Sequence, residues 1–288
     1  MIMKIPASEL PKQPDGAIYH LNLHPEELAD NVILVGDPGR VEMFSKMFDT
    51  IELKRQNREL VTHTGLYKGK RVSVISTGMG TDNIDIVLNE LDALANIDLK
   101  TNEVLPEHRT LKLVRVGTSG ALQEDIEVGT PVASAFGMGI DGVLNYYDTT
   151  GCLDKELAEA FIQQTSWSSL LPHPYCTPAA PDLLERVAHD MRQGITISAP
   201  GFFGPQGRQV RAKLMYPELN QAIEAFDYKG HKVTNMEMEC SAIYGLGRVL
   251  GHQALTVCLI IANRVTGRFL DSYHDQMEHL GRTVLDRI

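Results

Sequence analysis

The segment Gly201-Phe202-Phe203-Gly204-Pro205-Gln206-Gly207-Arg208 sets an aromatic pair, a carboxamide and a guanidinium on one glycine-rich stretch. An aromatic face stacks on a flat heterocycle, and a carboxamide, donor and acceptor at once, reads an N–H beside a C=O. The planar fork of Arg208 meets a second carbonyl or stabilises it as it gains negative charge. Uracil presents those groups along one edge. Taken alone, the same stretch also reads as a surface loop with Gly and Pro as turn residues.

Three further clusters give it company. Gly36-Asp37-Pro38-Gly39-Arg40 follows an apolar run, where a glycine admits close backbone approach and an arginine grips an oxyanion. Its bland reading is a strand-to-helix turn with a surface arginine. In Arg115-Val116-Gly117-Thr118-Ser119-Gly120, strand alternation puts Arg115 and Gly117 on one side with Thr118 at the mouth. A charge inside a buried strand needs a partner, either an internal carboxylate or a bound phosphate. Asn235-Met236-Glu237-Met238-Glu239 presents two carboxylates that suit a ribose diol, or that simply favour a helix N-terminus. Together the clusters offer an oxyanion pocket, a diol site and a heterocycle clamp. The sequence has no metal-ligand spacing, Walker A motif or nucleophile elbow.

The elements that must position these residues recur as apolar, β-branched runs at 31–36, 71–77, 111–118, 130–136, 194–199, 232–236 and 254–262. Several are nearly continuous, as strands buried on both faces are. Ile84, Val87, Leu88, Leu91, Leu94 and Ala95 follow helical spacing, with Asp82 as the expected N-cap. Further helices are expected at 154–166, 179–192, 239–250 and 274–287. Alternating strands and helices indicate one α/β domain over residues 1–288 on a mixed or mostly parallel sheet. Both arginine-bearing clusters sit at the carboxyl ends of strands, where such sheets bind ligands. The polar stretch 98–110, with Pro106, reads as a surface insertion.

Composition narrows the partners. A formal net charge of −10 argues against nucleic acid or an anionic membrane surface. It also requires any anionic substrate to find a locally positive pocket. Cys152, Cys176, Cys240 and Cys258 lie far apart, as free thiols in a reducing cytosol do. The N-terminus lacks the apolar block of a signal peptide, and the run 254–262 is too short to span a bilayer. The expectation is a cytoplasmic protein.

Read together, the motifs resemble the nucleoside phosphorylases of the trimer-of-dimers type, from about Tyr19 to the C-terminal helix. Those carrying the resemblance are Tyr19-His20-Leu21, Gly36-Asp37-Pro38-x-Arg40, Ser76-Thr77-Gly78-Met79-Gly80, Arg115-x-Gly117-Thr118-x-Gly120, Phe202…Gln206-x-Arg208 and Glu237-Met238-Glu239. The resemblance implies a partly barrel-like central sheet flanked by helices. It assigns phosphate to Gly36, Arg40, Arg115, Gly117 and Thr118, with Arg58 from a neighbouring subunit. It assigns the ribose to Glu237, Met238 and Glu239, with the neighbour's His20, and the base to Phe202, Gln206 and Arg208, supported by Arg264. Purine-cleaving members carry an aspartate near position 263, where this chain has Asn263. A monovalent-cation site of some relatives uses a Glu and a Ser; here Glu59 is kept and Asn83 replaces the Ser. Gly204-Pro205 stands where the pyrimidine members usually have Pro-Gly.

The implied reaction is phosphorolysis of uridine to uracil and α-ribose 1-phosphate, with Arg208, Gln206 and Arg115 as the working side chains. No metal or organic cofactor is expected, phosphate being a co-substrate. The implied assembly is a homo-oligomer, a dimer at least and a hexamer if the 98–110 segment permits. The alternatives are a purine nucleoside phosphorylase, a nucleosidase using water, and a non-catalytic nucleoside-binding protein.

Overall fold

A computed structural model describes residues 3–288. The chain runs β1 (Asn31–Val35), α1 (Pro38–Ser45), β2 (Thr50–Asn57), β3 (Leu60–Tyr67), β4 (Lys70–Ser76) and α2 (Thr81–Asn96). A small hairpin, β5 (Ile97–Asp98) and β6 (Glu103–Val104), precedes β7 (Lys112–Ala121), β8 (Pro131–Gly139), α3 (Lys155–Thr165), β9 (Tyr175–Pro178), α4 (Pro181–Ala188) and β10 (Arg192–Ser198). The last part holds α5 (Leu219–Ala225), β11 (Asp227–Tyr228), β12 (His231–Glu237), α6 (Cys240–Val249), β13 (Gln253–Asn263), β14 (Arg268–Phe269) and α7 (His274–Arg287). Among the described residues no helix is long and apolar enough to cross a membrane.

The mixed sheet follows the order β11-β12-β10-β8-β13-β7-β1-β4-β3-β2, and β12 pairs again with β7. That second pairing closes β12, β10, β8, β13 and β7 into a five-stranded barrel. Register shifts at Gly194/Ile195, Ile195/Thr196 and Ile260/Ala262 mark where the barrel strands bend, as bulges do. The apolar runs read from sequence form the interior strands, buried on both faces as their continuity requires. β1, β4, β7 and β13 run parallel, so their carboxyl ends open on one side. The cleft forms there.

Some local expectations shift. The 81–96 helix takes Gly80, at φ 98°, as its N-cap, and Asp82 lies in its first turn. The sterics explain it: only glycine adopts that φ freely, so the preceding loop sets the helix start. The 179–192 helix is shorter, Pro181–Ala188, because Arg192 already belongs to β10. The hairpin of β2 and β3 has an outer strand that is mostly exposed and polar, without an apolar run to mark it. The 98–110 stretch contains the strand residues Asp98, Glu103 and Val104 and docks on the N-terminal segment. Lys12 Nζ donates to Leu99 O and Asn102 Oδ1, and Ile5 N donates to Asn102 O.

Candidate active site

At the carboxyl ends of the parallel strands lies a cleft of about 530 Å³. It gathers Gly36 and Arg40 after β1, Arg115 and Thr118 from β7, Phe202, Gln206 and Arg208 after β10, and Glu237, Met238 and Glu239 at the end of β12. All four sequence clusters therefore meet in one place. Gly117 stands just beneath it, and its lack of a side chain is required: a Cβ there would overlap the Arg115 guanidinium. Strand alternation had placed the two on one side, and the arginine folds back over that glycine.

Arg115 is almost wholly buried and contacts both carboxylates, Glu239 through Nη2 and Glu237 Oε2 at 3.4 Å from Nη1. Its Nη1 also lies 3.3 Å from Cys258 Sγ. Burial by itself would lower its pKa, but Glu239 and Glu237 outweigh that and raise it. The internal carboxylate partner posed from sequence is therefore present, and the same arginine lines the cleft. Arg40 folds across from α1, and its Nη1 donates to Val116 O at 3.2 Å. Its pKa is lowered by burial and by the neighbouring Arg115, against the pull of Asp37. The two guanidiniums lie within each other's field, and of the two only Arg115 has an ion pair with the buried carboxylates. Asp37 caps α1 by accepting from Gly39 N at 2.8 Å, which fixes the turn that carries Arg40.

The two glutamates differ. Glu237 is 4% exposed and accepts from Ser198 Oγ at 2.6 Å, Glu239 N at 2.9 Å and Cys240 N at 3.0 Å, besides facing Arg115. The helix-N-terminus alternative is thus realised at this residue. Burial raises its carboxyl to about 7; Arg115 pulls it down, and Glu239 adds to the rise. Glu239 Oε1 accepts from Gly80 N at 2.7 Å and Oε2 from Arg115. Each of its oxygens keeps an acceptor direction for a ligand hydroxyl.

On the base loop, Arg208 lies over the Phe202 ring at 3.9 Å and donates to Phe202 O and Gln206 Oε1. Burial, with Arg264 adding, lowers its pKa to about 10, so it is protonated at neutral pH. Gln206 is buried, and its backbone carbonyl accepts from Asn220 Nδ2 at 3.0 Å and from Arg264 Nη1. Arg264 is outside the cleft lining and supports the loop from behind. Asn263 points away: it donates to Gln123 O and Ile126 O and accepts from Val265 N and Thr266 N. No free group remains on it to meet a base. Asn220, which holds Gln206, carried no sequence signal, because its role depends on α5 folding back against the loop.

His20 and Arg58 are absent from the lining of this cleft. They neighbour one another instead: Asn57 Nδ2 donates to His20 O at 2.9 Å, and Arg58 follows in an exposed turn at φ 54°. His20 Nδ1 lies 2.7 Å from Glu90 Oε1. Glu59 and Asn83 flank Gly78, whose φ of 71° leaves no room for a side chain against Asn83.

One cluster was invisible in the spacing. Asp92, His108 and His252 bring ligand-type atoms within 4.8 Å of one another. His252 Nδ1 accepts from Leu111 N at 3.2 Å, which puts the ring proton on Nε2, 3.2 Å from Asp92 Oδ1. His108 Nε2 lies 2.9 Å from Leu250 O, so its proton also sits there. His252 Nε2 faces Asp92 without making a hydrogen bond, while the His108 ring is held by Leu250 O.

The comparisons with known proteins agree with this geometry. The Phosphorylase superfamily profile matches residues 30–286. The chain is 30% identical over 278 residues to the uridine phosphorylase of Thermococcus kodakarensis, covering 93% of this chain and 86% of that one. It is 30% identical over 249 residues to a DeoD-type purine nucleoside phosphorylase of Oceanobacillus iheyensis, covering 86% and 88%. Among solved structures, a Trypanosoma brucei nucleoside phosphorylase described as showing uridine phosphorylase activity superposes with a TM-score of 0.85 at 29% identity, over 96% and 98% of the two chains. A barrel whose strand ends gather two arginines, two glutamates and an amide–guanidinium loop, in a chain matched across nearly its whole length, belongs to the Phosphorylase superfamily.

Proposed function

We propose that this chain cleaves uridine with phosphate to give uracil and α-ribose 1-phosphate. The observation that carries the reading is the convergence of Arg40, Arg115, Glu239, Gln206 and Arg208 on one cleft. As the C1′–N1 bond loosens, positive charge builds on the ribose and negative charge on uracil. Arg208, protonated and hydrogen-bonded to Gln206, stabilises the departing base. Arg40 and Arg115 hold phosphate near C1′, where its charge supports the oxocarbenium-like sugar and its oxygen forms the new bond. No side-chain nucleophile is needed, and no metal or organic cofactor enters the reaction. The cytosol is its expected compartment.

Pyrimidine choice is supported by Gln206, whose amide matches N3–H and a flanking carbonyl, and by Asn263, whose amide is consumed by the backbone. A nucleosidase using water would have no use for two arginines set around an anion. Assaying uridine, cytidine, inosine and adenosine side by side with phosphate tests the assignment. Uridine is cleaved fastest; a preference for inosine would move the chain to the purine branch.

The working unit is at least a dimer. His20 and Arg58 lie outside their own cleft, and Asn57, the residue before Arg58, holds the His20 carbonyl, an arrangement suited to reaching a neighbour's cleft across a two-fold axis. Three such dimers would make a hexamer. Mixing inactive Arg58→Ala with inactive Arg40→Ala tests this. Reassorted dimers contain one intact site, so activity returns on subunit exchange; demonstrated exchange without recovery would show self-contained subunits.

A further inference from the structure

We propose that Ser198, which belongs to none of the motifs above, is a positioning residue that fixes the Glu237 carboxylate against Arg115, the guanidinium that meets phosphate. This rests on the phosphorolytic reading of the cleft.

The direction of its hydrogen bonds is unambiguous. The backbone N–H of Ser241 can only donate, and it meets Ser198 Oγ at 2.8 Å. Ser198 therefore accepts there, and its own proton is free for one receiver, Glu237 Oε1 at 2.6 Å. The two residues are in register on parallel neighbours, Ser198 ending β10 and Glu237 ending β12. Both are buried, so water does not compete for the hydroxyl proton.

Around Glu237 the acceptor capacity is taken up by the protein: Ser198 Oγ, Glu239 N and Cys240 N, with Arg115 at 3.4 Å. The charged and titratable groups facing it are Arg115 from β7, Glu239 and Cys240 at the start of α6, and Cys258 from β13. From β10, Ser198 supplies its hydrogen bond. This divides the labour between the glutamates. Glu239 retains acceptor directions for the ribose, while Glu237 anchors Arg115 from behind. The assignment of Glu237 to ribose binding, carried over by resemblance, gives way to a positioning role.

A hydroxyl donating to a carboxylate favours its ionised form, so removing the donor pushes the carboxyl up. The pH profile of kcat/KM for phosphate therefore separates positioning from mere structural support. Ser198→Ala moves the acid limb upward by on the order of one pH unit, a roughly tenfold loss below the limb that closes at higher pH. Ser198→Thr, which keeps the hydroxyl, restores the limb, and Glu237→Gln leaves only the limb that the titration of phosphate itself imposes. A folded Ser198→Ala protein with an unshifted limb, or with a uniform loss at every pH, overturns the proposal. So does a Glu237→Gln protein with the wild-type limb. Phosphate calorimetry across the same pH range, without nucleoside, reads the same shift independently of turnover. If the wild-type protein fails to cleave uridine, the phosphorolytic reading falls, while calorimetry still decides the part played by Ser198.

Discussion

Replacing Arg115 with alanine should destabilise the protein as well as inactivate it, and the structure fixes both the size and the pH dependence. Arg115, Glu237 and Glu239 are each about 5% exposed or less, and the guanidinium is the cation shared by both carboxylates. Removing one partner of such a buried set costs about 3–5 kcal/mol, because an uncompensated charge stays behind. For a chain of this size that lowers Tm by on the order of 10 °C. The sign follows from Glu237, whose carboxyl burial already raises to about 7 with Arg115 pulling against it. Without Arg115 it rises further. A raised carboxyl keeps its proton in the folded state, so its contribution to stability is present at low pH and is lost as pH rises through the folded value. Below about 7 Glu237 keeps its proton in both folded proteins and its titration cancels between them, so the deficit of Arg115→Ala widens as pH rises through and beyond about 7 and shrinks on the acid side. Thermal unfolding of both proteins between pH 5 and 8 measures this directly. Adding Glu239→Gln to the variant should recover part of the loss at pH 8 by removing one of the stranded charges. An Arg115→Ala protein as stable as wild type at pH 8, or a deficit that does not change with pH, would refute the shared-cation account.

Other outcomes follow from the same geometry. Asn220→Ala frees the Gln206 backbone carbonyl from one of its two holders, which loosens the loop that aims its amide, and should raise the uridine KM several-fold while leaving the phosphate KM unchanged; losses on both substrates would place Asn220 in general support. Gln206→Ala should erase most discrimination between uridine and cytidine, as deleting a paired amide does, which initial rates on the two nucleosides report. Glu239→Gln should reduce kcat/KM on uridine more than on 2′-deoxyuridine if the 2′-hydroxyl is its main partner; equal losses would assign it to the 3′-hydroxyl or to the fold. Phosphate should protect the wild-type protein against thermal unfolding and protect Arg40→Ala much less, because Arg40 lines the pocket without an ion pair to a buried carboxylate.

The sequence revealed the interior strands because burial on both faces leaves continuous apolar runs, as in β1, β7 and β13. It revealed the four clusters because each follows such a run, at the end where parallel strands bind ligands. β2 escaped because its residues are mostly exposed and polar and obtain their order from β3. The different hydrogen-bond surroundings of Glu237 and Glu239 also escaped. Two glutamates two residues apart look alike until the N–H groups of α6 and the Ser198 hydroxyl are seen to occupy one of them. Asn263 stands near the position where purine-cleaving members carry an aspartate, and only the hydrogen bonds show its amide spent on the loops around 123–126 and 265–266. Contacts of high sequence separation, such as Asn220 on Gln206 or Arg264 behind the loop, leave no periodic trace.

The account centres on phosphate as the attacking group, and release of uracil from uridine, followed with and without phosphate, tests that most directly. Uracil should appear only when phosphate is present, with one α-ribose 1-phosphate formed for each uracil. Uracil released equally fast without phosphate, with free ribose as the second product, would contradict it.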